Sequence, residues 1–132
     1  MSEVMPSMPY KVYLDQAAEE LNAANLLFEE EYYREAVSRA YYSMFHASQA
    51  LLLIKEVYPK SHKGVIQKFG EEFVKSGLLE KKMGHILARA ETMRLKADYD
   101  VGVKITKEEC EEILDSCEFF ISKVKEMINE LK

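Results

Sequence analysis

The sequence predicts an all-α protein: an up-and-down four-helix bundle with an additional short helix, organised as one domain over residues 1–132. Three observations carry this. Apolar residues recur at a spacing near 3.6 in every long segment, and the period-two alternation of half-buried strands is nearly absent. The chain has 132 residues, 48% apolar and 31% charged, which suits a single globular core and excludes a disordered or low-complexity chain. It holds only 5 Gly and 3 Pro, and Pro6, Pro9 and Pro59 all precede residue 60, so the second half lacks a proline breaker. No internal repeat or linker interrupts it.

The first helix is expected from about Tyr10 to Glu30, with Leu14, Ala17, Ala18, Leu21, Asn25 and Phe28 on one stripe and acidic residues elsewhere. A second begins near Tyr33 and ends before Pro59. The short helix opens near Ser61 and stops at Gly77, a suitable residue for a left-handed helix end. A fourth covers about Leu78 to Ala97, followed by a loop over Asp98–Ile105. The last starts at Thr106, where Thr106 and Glu109 have capping-box spacing, and repeats Ile113, Cys117, Phe120, Val124, Met127 and Leu131.

Several function classes have no support. The longest apolar stretch, Ala40 to Ile54, is interrupted by Ser43, His46, Ser48 and Gln49 and is too short for a bilayer, which needs about 20 residues. Met1–Pro9 lacks the basic-then-apolar order of a secretory leader, so a cytoplasmic location without membrane attachment is expected. Cys110 and Cys117 are two turns apart on one helix, about 10 Å, too far to pair, and match no zinc or redox spacing. No metal-ligand, P-loop or dinucleotide motif occurs, and no cofactor is expected. The net charge is −5, but residues 58–105 carry 10 basic against 6 acidic side chains. That basic middle either faces phosphates or balances its acidic neighbours through ion pairs.

The second helix is the informative one. Ala36–Ile54 contains one permanently charged residue, Arg39, and one imidazole, His46. Such a helix is enclosed, by bundle partners on one face and by a further cover, expected to be a two-fold partner, on the other. Ala36, Ala40, Met44, Ala47, Leu51 and Ile54 form the expected core stripe; Arg39, Tyr42, Ser43, His46, Ala50 and Leu53 form the opposite one. Arg39 and His46, seven residues apart, project within about 20° of each other. An enclosed arginine requires an anion or a carboxylate, and the imidazole and phenol beside it give the face the character of a site. The same residues fit a purely structural arrangement, with Arg39 paired to a buried glutamate and His46 a hydrogen-bonded interior histidine. His62, at the start of the short helix, suits an anion site or an exposed cap, and His85 a helix surface.

The segment Ser38-Arg-Ala-Tyr-Tyr-Ser-Met-Phe-His46, with Ala47 and Ala50-Leu-Leu, resembles the HEPN family (higher eukaryotes and prokaryotes nucleotide-binding domain), most of all its small stand-alone prokaryotic members. Lys60-Ser-His-Lys-Gly64 and Arg94-Leu-Lys-Ala-Asp-Tyr99 fit in the same order, so the resemblance extends over essentially the whole chain. The family motif is an Arg, four to six residues, then a His, met by Arg39 and His46. Two positions differ from the pattern. Ala40 stands where the nuclease motif has a polar residue, and Ser48 where members modified on tyrosine by their partner have that tyrosine.

The resemblance implies a homodimer whose Arg-and-His faces line a common cleft, RNA or a nucleotide as ligand, and a minimal nucleotidyltransferase antitoxin as partner. It implies a metal-independent ribonuclease of the toxin type. In that chemistry His46 is the base for the 2′-OH and Arg39 holds the phosphate through two parallel hydrogen bonds. Tyr42 and Ser43 lie beside them, Arg94 and Tyr99 support the cleft, and Asp98 pairs an arginine. Two other classes stay open: a non-catalytic dimer that binds a nucleotide or protein partner, and a helical scaffold that only oligomerises.

Overall fold

The computed structural model describes residues 9–132. The start of the chain, including the reading of Met1–Pro9 as no leader and the inclusion of residues 1–8 in one domain, lies outside them apart from Pro9. Among the described residues there are five α-helices and no strand: α1 (Tyr10–Glu29), α2 (Tyr33–Ile54), α3 (His62–Phe69), α4 (Lys81–Tyr99) and α5 (Lys107–Leu131). Among the described residues no helix is long and apolar enough to cross a membrane.

The ends of these helices follow local chemistry. The α1 and α2 C-termini each close with the third residue beyond the helix bonding back, Tyr32 N–H to Leu27 O at 2.8 Å and Val57 N–H to Leu52 O at 2.9 Å. That closure forces Glu31 and Glu56 to positive φ, 67° and 60°. The Ser61 hydroxyl caps α3 by accepting from Gly64 N–H. A Cβ at Gly64 would sit 2.9 Å from Ser61 Oγ and 3.3 Å from Pro59 Cβ, so only glycine lets that cap close. Thr106 and Glu109 complete a reciprocal capping box at α5.

The helices α1, α3, α4 and α5 all pack on α2. Small residues make this possible: Ala36, Ala40, Ser43, Ala47 and Ala50 are fully buried and let neighbouring backbones approach closely. On α5 the expected stripe faces inward, Ile113, Cys117, Phe120, Val124 and Met127 being buried and Leu131 partly so. Cys110 and Cys117 are free, buried thiols pushed by burial up to about 11 and about 12, which makes them inert packing residues. Arg89 with Glu112, Lys68 with Glu71 and Arg94 with Asp98 put part of the basic middle into ion pairs. His85 is exposed on α4.

Five expectations need correction. The short helix stops at Phe69 and passes into a π-helical turn, Gly70–Val74, where Lys75 N–H reaches Gly70 O. Gly77 has the expected positive φ of 87°, but α4 begins only at Lys81, because Leu79 N–H turns back to Phe73 O. Asp98 lies within α4, not in a loop. On α1, Ala18 is exposed while Glu20 is buried beside Ala17 and Ala24, so the buried stripe is rotated toward Glu20. On α2, Ser43 and Ala50 face the interior, so the open stripe runs through Arg39, Tyr42, His46, Gln49 and Leu53. The four other helices of the same chain supply the cover of α2, and its apolar character is therefore no argument for a second subunit.

Thr106→Ala removes an N-cap acceptor and should lower stability by about 1 kcal/mol. Urea unfolding followed by circular dichroism measures this, and an unchanged midpoint would show that the cap contributes nothing.

Candidate functional site

The open stripe of α2 lies between α1 and α4. Its central group comes from α1: Glu20 is 7% exposed, and its two carboxylate oxygens meet different partners. Oε1 lies 2.7 Å from His46 Nδ1, and Oε2 lies 3.8 Å from Arg39 Nη1 and 3.3 Å from Gln16 Nε2. Glu20 is the buried carboxylate that an enclosed arginine demands, and periodicity held the clue, since it falls three residues after Ala17 and four before Ala24. The Arg39 side chain is nevertheless 41% exposed, with its guanidinium carbon 5.2 Å from the centre of the Tyr42 ring.

Tyr42 stands between two cations. The buried Arg94, from α4, places its guanidinium carbon 4.8 Å from the Tyr41 ring and 5.8 Å from the Tyr42 ring. Arg94 Nη1 also faces Asp98 Oδ2 at 3.6 Å, and Asp98 Oδ1 accepts from the Ser38 hydroxyl. One cleft is lined by Arg39, Tyr42, Ser38, Asp98, Ala97 and Leu27. Arg34, which sequence reasoning passed over, holds its rim by donating to the carbonyls of Ala97, Asp100 and Val103. It closes the carbonyl end of α4 and ties the following loop to α2.

Beyond Tyr42 the face carries two imidazoles. His62 is not an exposed cap: it stacks on Phe45 with ring centres 4.3 Å apart and shares a 3.1 Å hydrogen bond between its Nδ1 and the Tyr41 hydroxyl. Its ring centre is 5.7 Å from Tyr42, and that of His46 is 6.5 Å from the same ring. Burial, followed by the nearby Arg94, holds the His62 pKa below the ordinary 6.5. Burial, followed by Glu91, pushes the Tyr41 hydroxyl up to about 12, so it stays a neutral phenol.

The structure thus gathers Arg39, Tyr42, His46, His62, Arg94 and Asp98 along one face. Two expected members lie elsewhere. The Ser43 hydroxyl is fully buried and donates to Ala17 O at 2.7 Å across the α1–α2 seam. Tyr99, the last residue of α4, is 72% exposed and contributes nothing to the cleft lining. Ala40 is fully buried with its carbonyl against Cys117 Sγ, so a polar side chain there would enter the α2–α5 seam. Ser48 is likewise buried and donates back to Met44 O, presenting no surface hydroxyl. Among the described residues no group of three His, Cys, Asp or Glu side chains is arranged to hold a metal ion.

Comparison with known proteins identifies the family of this all-α bundle. The HEPN domain model matches residues 10–127, and the chain belongs to that family. Its relatives include the Methanocaldococcus jannaschii protein named "Putative toxin MJ0605", 44% identical over 118 residues, 89% of this chain and 87% of that one. A UPF0332 protein of Thermotoga maritima is 34% identical over 89% of each chain. The crystal structure of TT1696 from Thermus thermophilus has the same fold, with a TM-score of 0.77, 18% identity, and coverage of 89% of this chain and 97% of that one.

The His62 environment has a consequence for stability. Its folded-state pKa is depressed from 6.5, so below that pH the unfolded chain takes up the proton first, and stability present above it is lost as pH falls. Between about pH 7.5 and about pH 5.5 the urea midpoint should fall, and fall less in His62→Asn, which can keep a partner for Tyr41. Equal pH dependence in the two proteins would show that His62 is not the group responsible.

Proposed function

We propose that this protein is a metal-independent endoribonuclease of the toxin type, acting as one HEPN domain over residues 1–132 in the cytoplasm. The observation that carries the reading is the Arg39–Tyr42–His46 stripe left open on an otherwise enclosed helix, together with family relatives that include a protein named as a putative toxin. RNA contains its own nucleophile, so the protein has three tasks: to take the 2′-OH proton, to stabilise the charge on phosphorus, and to protonate the leaving oxygen. His46 takes the proton. Arg39 leaves Glu20 and donates two parallel hydrogen bonds to the phosphate, a geometry a lysine cannot reproduce. Tyr42 offers a face on which a base stacks. Two protomers joined across this face bring two such sets together, which supplies the acid, and a minimal nucleotidyltransferase is the expected antitoxin partner.

A second reading has its own support in the burial of Ala40, where the nuclease motif carries a polar residue. On that reading the same face binds a nucleotide or a protein partner without cleaving RNA.

Incubation of a mixed RNA substrate in excess EDTA separates the two. Wild type should leave 2′,3′-cyclic phosphate ends, and Arg39→Ala and His46→Ala should each lose activity by on the order of 100-fold or more, with helical content and oligomeric state unchanged. A well-folded wild type that cleaves none of several RNAs would move the assignment to the binding module. Variants that unfold instead would mark the two residues as structural.

A further inference from the structure

We propose that Glu20 is the positioning residue of this site: from α1 it fixes the His46 proton on Nδ1, leaving Nε2 as the nitrogen that meets the substrate hydroxyl, and holds Arg39 beside it. A carboxylate oxygen accepts hydrogen bonds and does not donate them, so the 2.7 Å contact between Glu20 Oε1 and His46 Nδ1 points to the hydrogen on Nδ1. A neutral imidazole carries one hydrogen, so Nε2 then has the free lone pair a base needs. The second oxygen, 3.8 Å from Arg39 Nη1, sets the guanidinium on the same side of α2. One carboxylate therefore orients both members of the Arg-and-His pair.

The placement of that carboxylate is itself built in. Glu20 can reach α2 because Ala17 and Ala24, on either side of it, are fully buried and allow the two helices to close. The register is pinned one turn away, where Ser43 Oγ donates to Ala17 O. Ser43 stands three residues before His46 and Ala17 three before Glu20, and because α1 and α2 run antiparallel across their short connection, this hydrogen bond and the Glu20–His46 contact cross at one level of the seam. Ser43 thus serves the site from below without touching a ligand.

The catalytic consequence rests on the nuclease reading, whereas the position of the proton does not. Long-range nitrogen–proton correlation spectra of the full chain read the His46 tautomer directly in wild type, Glu20→Gln and Glu20→Leu. The expected result is an Nδ1–H tautomer in wild type and in Glu20→Gln, whose side-chain oxygen still accepts. Glu20→Leu should shift toward Nε2–H, the form a free imidazole favours. RNA cleavage should fall by on the order of 100-fold in kcat for Glu20→Leu, with KM little changed and most of the activity restored in Glu20→Gln. A wild-type His46 protonated on Nε2 overturns the proposal whatever the variants do, and so does an unchanged tautomer in Glu20→Leu. A wild type with the Nδ1–H form that cleaves no RNA upholds the positioning and removes the nuclease reading.

Discussion

Everything in this fold depends on how closely backbones can approach one helix. The helices α1, α3, α4 and α5 each pack on α2, and a helix can be surrounded in this way only if its side chains are small where neighbours cross and large where space remains. The α2 sequence supplies both, with alanines and serines along the seams and Tyr41, Met44, Phe45, Leu51 and Leu52 filling the spaces between. Its remaining stripe is narrow, and Arg39, Tyr42 and His46 occupy it. The candidate site is therefore a consequence of the packing: it is the strip of the central helix that the described residues leave open.

A strip so nearly enclosed imposes its own electrostatics. Arg39 and Glu20 form one opposite-charge pair and Arg94 and Asp98 another, so each charge drawn toward the interior has a partner on a neighbouring helix or turn. The two pairs differ in freedom. Arg94 is 6% exposed and wedged against two tyrosine rings, which fixes it as part of the floor. Arg39 has a long contact to Glu20 and a side chain open to water, which leaves its guanidinium able to exchange one anion for another. Of the two arginines it alone can turn toward a ligand without dismantling the core.

Much of this was legible in the sequence and some was not, for physical reasons that differ from residue to residue. Periodicity and capping chemistry placed α5 from Thr106 onward because both signals are local. The enclosed character of α2 was equally clear, but its cause was not: a helix apolar on most sides reads the same whether a second subunit or the rest of the chain surrounds it. Glu20 was overlooked because a carboxylate on a stripe with alanines is normally a solvated residue, and only its partners on α2 change that. Ser43 lies at the border between two faces, where a rotation of about 40° decides between the cleft and the seam. Tyr99 shares a motif with Arg94 and Asp98, yet at the last position of α4 it projects away from them. The His62 stacking on Phe45 joins residues 17 apart through a loop, and no helical period reports such a contact.

The charge arrangement also bears on what kind of RNA the proposed activity would engage. Affinity that comes from neutralising many phosphates needs a broad basic surface and falls steeply with salt, because each neutralised phosphate releases counterions. This protein carries a net charge of −5, and Arg39 and Arg94 are already matched by Glu20 and Asp98. Binding at Arg39 is then an exchange of one carboxylate for one phosphate, which releases few counterions and gains little from neighbouring nucleotides. On the proposed activity such a face would grip a single phosphodiester, with Tyr42 as a stacking surface. Selection among RNAs would then depend on how easily the strand can present one exposed phosphate and an unstacked base, a property of loops and single strands more than of helices.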